Sequence, residues 1–353
     1  MNSVWNEIDS LLRNIEFNKL WKGFKRYKFA LYDDEKAYFG DKEITVDNRF
    51  IGNTAIDYDG EKLAIWKVSK EELENLQVLA ANIVHEMFHA FQIENQEKRF
   101  PNDIKGLNKP FDVEYYNMKS REAKLLAEAI SSDDYSVRLS NLVEIISLRE
   151  LRSKQYKDVT DYEFGIETIE GAAEYVSMKA LNKINKNEYE KRINSYLQNI
   201  IDNNMLFDTR RYSYFFGSML LLLLDSLNIE LSQDIRDNPI TVMEEVMSKI
   251  DKRVNIEFLP KDPIIEENLD KYYRELYNRF RNLHNSSNKS HPGCYSINGY
   301  DSMNMYKLGN EVLHEHFVIL YDHDKDKSLF IKGPVITVFN QDESQVIDYI
   351  TAQ

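Results

Sequence analysis

His85-Glu86-Met87-Phe88-His89 sets two imidazoles four residues apart, with a carboxylate directly after the first. Residues four apart on an α-helix stand one turn above each other on one face, so both rings can reach a single metal ion. Glu86 lies about 60° around the helix from His89, beside the ion rather than on it. A general base belongs there, in reach of a water that the metal activates. The flanking residues read as helix from Lys70 to Gln96, since nothing in that stretch breaks one and Ser69 with Glu72 makes a capping-box pattern at its start. Leu73, Leu76, Leu79, Ala80, Ile83, Val84, Met87, Phe88 and Phe91 form a broad apolar face, so this helix is expected to run through an interior. Two buried imidazoles one turn apart need a shared partner, because an unpaired polar group in a core costs about 1–3 kcal/mol. Zn2+ is such a partner.

A catalytic zinc takes three protein ligands and keeps one open position. The other histidines (His284, His291, His314, His316 and His323) all fall in the last quarter of the chain. A second helix is expected around Glu167-Thr168-Ile169-Glu170-Gly171-Ala172-Ala173-Glu174-Tyr175. Glu167, Glu170 and Glu174 follow an i, i+3, i+7 pattern, one stripe of one helix. Three carboxylates in register repel one another. Such a stripe is either the solvated side of an amphipathic helix, whose apolar side is Ile166, Ile169, Ala173, Val176 and Ala180, or it is neutralised by a cation.

Together, His85-Glu86-x-x-His89 and the downstream Glu170-Gly171-x-Ala173 resemble the gluzincin zinc metallopeptidases, the thermolysin-like and aminopeptidase-like group. The resemblance covers the two motif helices and their order, with a longer separation between His89 and Glu170 than is usual in that group. It implies Glu170 as the third zinc ligand, with Glu167 as the alternative. It also implies that Glu174 accepts a hydrogen bond from a zinc-bound imidazole and fixes its tautomer. In this group a tyrosine or histidine on a later element stabilises the oxyanion. Tyr212 and Tyr214, in Arg210-Arg211-Tyr212-Ser213-Tyr214-Phe215-Phe216-Gly217, are the candidates, with Arg210 and Arg211 as grips for substrate carboxylates.

The rest of the chain predicts an α+β fold. The first two dozen residues read as helix. Alternating runs at Tyr27–Leu31, Ala37–Phe39, Glu43–Val46, Thr54–Tyr58 and Lys62–Val68 are punctuated by Asp33-Asp34, Gly40-Asp41 and Asp59-Gly60, which predicts an N-terminal antiparallel sheet. An edge strand beside the cleft, nearest to Ala55-Ile56-Asp57-Tyr58, would suit pairing with an extended peptide. Residues 100–155 read as a helical insertion over or beside the cleft, with Leu142, Ile145, Leu148 and Leu151 in a heptad-like run. Arg149, Arg152 and Lys154 follow it and either pair with the acidic stripe or, as is expected, make simple surface pairs. A helix with Asn238 as N-cap and another over Ile264–Leu283 close a mostly helical, zincin-like body.

The expected organisation is a metallopeptidase domain over 1–284, a linker at 285–292 and a small β-rich module over 293–353. Within the first, residues 1–70 hold the N-terminal helix and sheet, 71–97 the zinc helix and 160–284 the third-ligand helix and helical subdomain. In the module, His314-Glu315-His316 alternates as a strand does, which reads as a solvated strand face in preference to a second metal site.

Composition bounds the function. The formal charge of −14 argues against nucleic-acid binding, since no basic stripe stands ready to meet phosphates. One cysteine, Cys294, excludes an intramolecular disulfide. No run approaches the roughly twenty apolar residues of a membrane helix, and no secretory pattern opens the chain, so a cytoplasmic protein is expected. The expectation is a zinc metallopeptidase acting on peptides or proteins through Glu86. The alternatives are a zinc hydrolase of another amide or ester, and a binding or regulatory protein with a structural zinc.

Overall fold

The computed structural model describes residues 1–257, 259–286 and 289–352. The N-terminal stretch is not one helix but two, α1 (Asn2–Arg13) and the single turn α2 (Phe17–Leu20). The break lets Trp21 and Phe24 turn inward and pack edge-on against Phe88, with ring centroids 5.3 and 5.2 Å away.

Five strands follow: β1 (Lys28–Tyr32), β2 (Lys36–Phe39), β3 (Lys42–Thr45), β4 (Thr54–Tyr58) and β5 (Glu61–Lys67). Each lies within a residue of its expected run. The turns form as their residues dictate. Asp33 Oδ1 accepts the backbone N–H groups of Glu35 and Lys36, and Asp59 and Gly60 both adopt positive φ between β4 and β5. The sheet order is β3-β2-β1-β5-β4, and β1 runs parallel to β5, so the sheet is mixed rather than antiparallel throughout. Hairpin turns determine the three local pairings. The β1–β5 pairing is non-local and comes from burial of Ala30, Leu63 and Ile65 at the sheet centre. β4 is left at an edge, against α3 (Leu76–Glu94).

α3 starts later than the sequence suggests. The Ser69–Glu72 capping box forms, but it closes a 3₁₀ turn at Glu72–Glu74, and Asn75 caps α3 by accepting the Val78 N–H at 3.2 Å. Beyond it come α4 (Asp103–Gly106), α5 (Val113–Ser131), α6 (Tyr135–Gln155), α7 (Lys157–Ile166), α8 (Ala172–Ile184), α9 (Lys186–Ile201), α10 (Thr209–Ser226), α11 (Val242–Lys249) and α12 (Pro263–Ser286). The N-cap of α11 is Thr241, in a full capping box with Glu244, rather than Asn238.

α5 and α6 are not an added cover. Tyr115, Leu126, Leu142, Ile145 and Leu148 share one core with Ile83, Met87 and Phe88 of α3. They also carry charge inward, so Arg149 and Arg152 are not surface residues but fully buried. Arg152 donates to Glu122 and Glu163 at 2.8 and 2.5 Å, and Lys119 pairs with Glu163 at 2.9 Å. Arg149 approaches Glu122 at 2.5 Å and Glu167 at 2.8 Å, at angles too bent for hydrogen bonds, so that pairing is coulombic.

Between α7 and α8 the helix widens into a π-helical turn, Glu167–Gly171. Here α10 lies backbone to backbone. A Cβ on Gly171 would stand 2.9 Å from the Gly217 Cα, and one on Gly217 would stand 2.9 Å from the Glu167 Cα. Only glycine permits this approach, and it carries the N-terminal end of α10 onto Glu170.

The C-terminal strands β6 (Lys289–Tyr300), β7 (Met305–Leu308), β8 (Glu311–His314), β9 (Phe317–Asp322), β10 (Lys327–Lys332), β11 (Val335–Phe339) and β12 (Val346–Thr351) form a second sheet in the order β10-β9-β6-β12-β11-β8-β7. The expected linker at 285–292 is replaced at both ends by regular structure. α12 runs to Ser286 and β6 starts at Lys289, while Ser287 and Asn288 lie outside the described residues. α12 bridges the two parts of the chain. Ile265 and Leu269 join the main core, whereas Leu276, Phe280 and Leu283 pack on Leu313 and Ile336 of the sheet. The sheet also rests on Ile104 and Leu107, on and just after α4. His314 is buried against Thr337 while His316 is exposed beside Asp301, so the pair is not a solvated strand face. No helix among the described residues is long and apolar enough to cross a membrane.

Candidate metal centre

α3 carries His85, Glu86 and His89 through the interior, as the apolar face around them requires. His85 and His89 turn their Nε2 atoms toward each other, 2.9 Å apart. Glu170 Oε2 lies 3.0 Å from His89 Nε2 and 3.5 Å from His85 Nε2.

The neighbours settle which ring nitrogens carry protons. His85 Nδ1 donates to Glu174 Oε2 at 3.0 Å, because an ionised carboxylate can only accept. Gln92 Nε2 donates to the Ile169 carbonyl at 2.9 Å, which turns its Oε1 toward His89 Nδ1 at 2.7 Å. The hydrogen-bond network thus places a proton on Nδ1 of both rings and turns both Nε2 atoms toward Glu170, where a metal can replace any proton they carry. Two Nε2 atoms and a carboxylate oxygen then face one another, and Glu170 Oε2 is buried with no hydrogen-bond donor. Such a set repels itself unless a cation or a proton sits between its members.

Zinc fits it. Three N or O ligands about 2.0–2.1 Å from a tetrahedral ion stand about 3.3 Å apart. The three separations of 2.9, 3.0 and 3.5 Å bracket that value. His85, His89 and Glu170 are also the group of described residues whose donor atoms converge closely enough to hold a metal.

The electrostatics agree with the geometry. Burial pushes the His85 imidazolium down, but Glu170 and Glu174 outweigh it and hold this ring up at about 10. His89 is raised for the same reason, against its own burial, by Glu170. Burial alone would raise Glu170, yet His89, His85 and Arg210 hold it well below the usual carboxylate range. Glu86 shows the opposite balance. Burial dominates and raises it, against the pull of His85 and His89.

A raised histidine means that the metal-free site keeps a proton at pH 7, which an incoming cation must displace. Zinc binding is therefore expected to release at least one proton near pH 7. Affinity should rise about tenfold per pH unit for each proton released, up to the range of His85 at about 10. Calorimetry in two buffers of different ionisation enthalpy measures this directly. Equal heats in both would show that no proton leaves.

Glu174 is held down at about 2: burial opposes ionisation, but His85, Arg192 and Tyr196 outweigh it. Arg192 lies 3.5 Å from Glu174 Oε1, and the Tyr196 hydroxyl donates to the same oxygen. Glu167 is elsewhere, packed on Arg149 in the buried charge cluster and pushed up to about 7 by burial. The π-helical turn explains the separation. More residues per turn rotate Glu167 away from Glu170 and Glu174, so the three carboxylates do not form one stripe. All three are buried, which removes the solvated alternative.

Tyr212 and Tyr214 part for a simpler reason: two residues on a helix differ by about 200°. Tyr212 is fully buried beside Lys119, donating to its carbonyl at 3.3 Å, and lies in the core rather than at the site. Tyr214 stacks on His85 with ring centroids 6.1 Å apart, and burial, with Glu170 next, raises its phenol well above the usual range. It stays a protonated donor. Arg210 is no free grip either, since it donates Nη2 to Glu170 Oε1 at 2.8 Å and Nη1 to Asp103 at 2.6 Å. Arg211 pairs with Asp208 at 2.5 Å.

Sequence reasoning missed Gln92, Arg192, Tyr196 and Asp103. Gln92 stands three residues after His89, on the same helix face, so its role was readable from α3 alone. The others arrive from separate elements. Comparison with family models, with curated proteins and with solved structures returns no match.

Proposed function

We propose that this chain is a zinc-dependent metallopeptidase of gluzincin type, with His85, His89 and Glu170 as the zinc ligands and Glu86 as the general base. One observation carries the reading. Two imidazole Nε2 atoms and a buried carboxylate oxygen without a hydrogen-bond donor converge within 3.5 Å, beside a carboxylate that burial has made more basic.

Zinc bound there supplies a Lewis acid, which polarises a substrate carbonyl and acidifies water. Glu86 takes the proton of the attacking water and delivers it to the departing amine. Tyr214 keeps its proton and donates a hydrogen bond to the oxyanion that develops on the carbonyl. Glu174 and Gln92 hold the imidazoles in the tautomer that leaves Nε2 free. The edge strand β4, against α3, can pair with an extended peptide.

The test is zinc content of the purified chain together with digestion of a peptide library. About one zinc per chain and cleavage at defined bonds are expected. Bound zinc with an inert library, but hydrolysis of simple amides or esters, would move the substrate class. A chain that takes up no zinc at equilibrium would remove the enzymatic reading.

A further inference from the structure

Asp103, in the short helix α4, joins the C-terminal sheet to the metal centre. Its Oδ1 accepts from Arg210 Nη1 at 2.6 Å and from the Tyr162 hydroxyl at 2.9 Å. Its Oδ2 accepts from the Tyr300 hydroxyl at 3.2 Å, and Tyr300 is the last residue of β6. On the far side, Arg210 gives Nη2 to Glu170 Oε1 at 2.8 Å. An unbroken chain of hydrogen bonds therefore runs from the C-terminal sheet to a candidate zinc ligand.

The geometry of arginine gives this chain a consequence. A guanidinium holds its donors in one rigid plane and grips a carboxylate best with two of them at once. Glu170 meets this fork through one oxygen only: Arg210 donates Nη2 to Oε1, while Nε, the other donor on that edge, is buried without a partner. Asp103 holds the other end of the guanidinium through Nη1 and so fixes the tilt at which it meets Glu170, leaving Oε2 turned to His85 and His89. The orientation of Asp103 is in turn set from the sheet. Tyr300 holds its second oxygen, and Ile104, the next residue, packs into the apolar cluster of the sheet.

We infer that the C-terminal sheet is a working part of the metal centre, in which Tyr300 is a positioning residue that acts through Asp103 and Arg210 to keep Glu170 in one-oxygen presentation. This rests on the assignment of His85, His89 and Glu170 as the zinc ligands.

The test is zinc affinity of the full chain, measured by competition with a chromophoric chelator, alongside the visible spectrum with Co2+ in place of zinc. Tyr300→Phe is expected to weaken zinc binding about tenfold, the low end for a residue that orients a ligand, and to alter the cobalt bands. Asp103→Asn should weaken it at least as much, and Tyr300→Phe should add nothing in that background. Tyr321→Phe, on the same sheet with its hydroxyl on Asp326, should leave both readouts unchanged. Urea midpoints check that each variant folds. If either of the first two does not, Arg210→Lys replaces it, keeping the charge, losing the fork and again weakening zinc about tenfold. Wild-type affinity and cobalt bands in Tyr300→Phe, or additive losses in the double variant, would overturn the coupling alone. A wild-type chain without zinc would overturn the ligand assignment and the coupling with it.

Discussion

Under the proposed mechanism, Glu86→Gln is expected to lose peptidase turnover by about 10²–10⁴-fold, the usual worth of a positioned general base, and to keep its zinc. The two effects separate because Glu86 lies beside the three convergent donor atoms and is not one of them. Glutamine has nearly the same shape, so the burial that raises Glu86 tolerates it, and a neutral amide is easier to bury than a carboxylate. The fold and the donor set of His85, His89 and Glu170 are therefore expected to survive. Turnover on a cleaved library peptide and zinc content of the same sample are the two measurements. Full activity in Glu86→Gln would place the base on another residue. Loss of zinc together with activity would show that Glu86 is a ligand.

The second large effect distinguishes two glutamates three residues apart. In Glu170→Ala zinc affinity should fall by more than about 100-fold, beyond the range for residues that only orient a ligand, while the chain stays folded. Glu167→Ala should do the reverse. It leaves Arg149 buried with only part of its compensating charge, and breaking a buried pair costs about 3–5 kcal/mol. Burial opposes the ionised form of Glu167 and pushes it up, so the lower part of that range is expected, and Glu167→Gln should cost less still. Urea denaturation and zinc titration on both variants read the two quantities independently. A stable Glu167→Ala without zinc, beside a Glu170→Ala that keeps it, would exchange the two assignments.

What could be read from the sequence follows the range of the forces involved. His85, Glu86 and His89 belong to one helical turn, and a spacing of four residues sets their relation whatever surrounds them. The N-terminal strands were equally readable, because Asp33-Asp34 and Asp59-Gly60 determine their turns locally. In the C-terminal sheet, β6 and β12 are harder to read, because their sequences mix polar and apolar residues and their mutual pairing joins segments distant in the chain.

The sequence by itself therefore determined an α+β chain with a two-histidine, one-glutamate cluster on an interior helix. Tertiary structure decided which other groups reach that cluster. The π-helical turn, which helical periodicity cannot anticipate, sends Glu170 and Glu174 to the histidines and Glu167 to Arg149. The contact of Gly171 with Gly217 seats α10 so that Tyr214 and Arg210 face the site while Tyr212 enters the core. Arg149 and Arg152, which as isolated charges belong on a surface, are buried because Glu122, Glu163 and Glu167 arrive from other helices to neutralise them. Tyr300 meets Asp103 from 197 positions away. Local backbone preferences set which residues share a turn, but burial and charge compensation act through space, and only the packed chain brings those partners together.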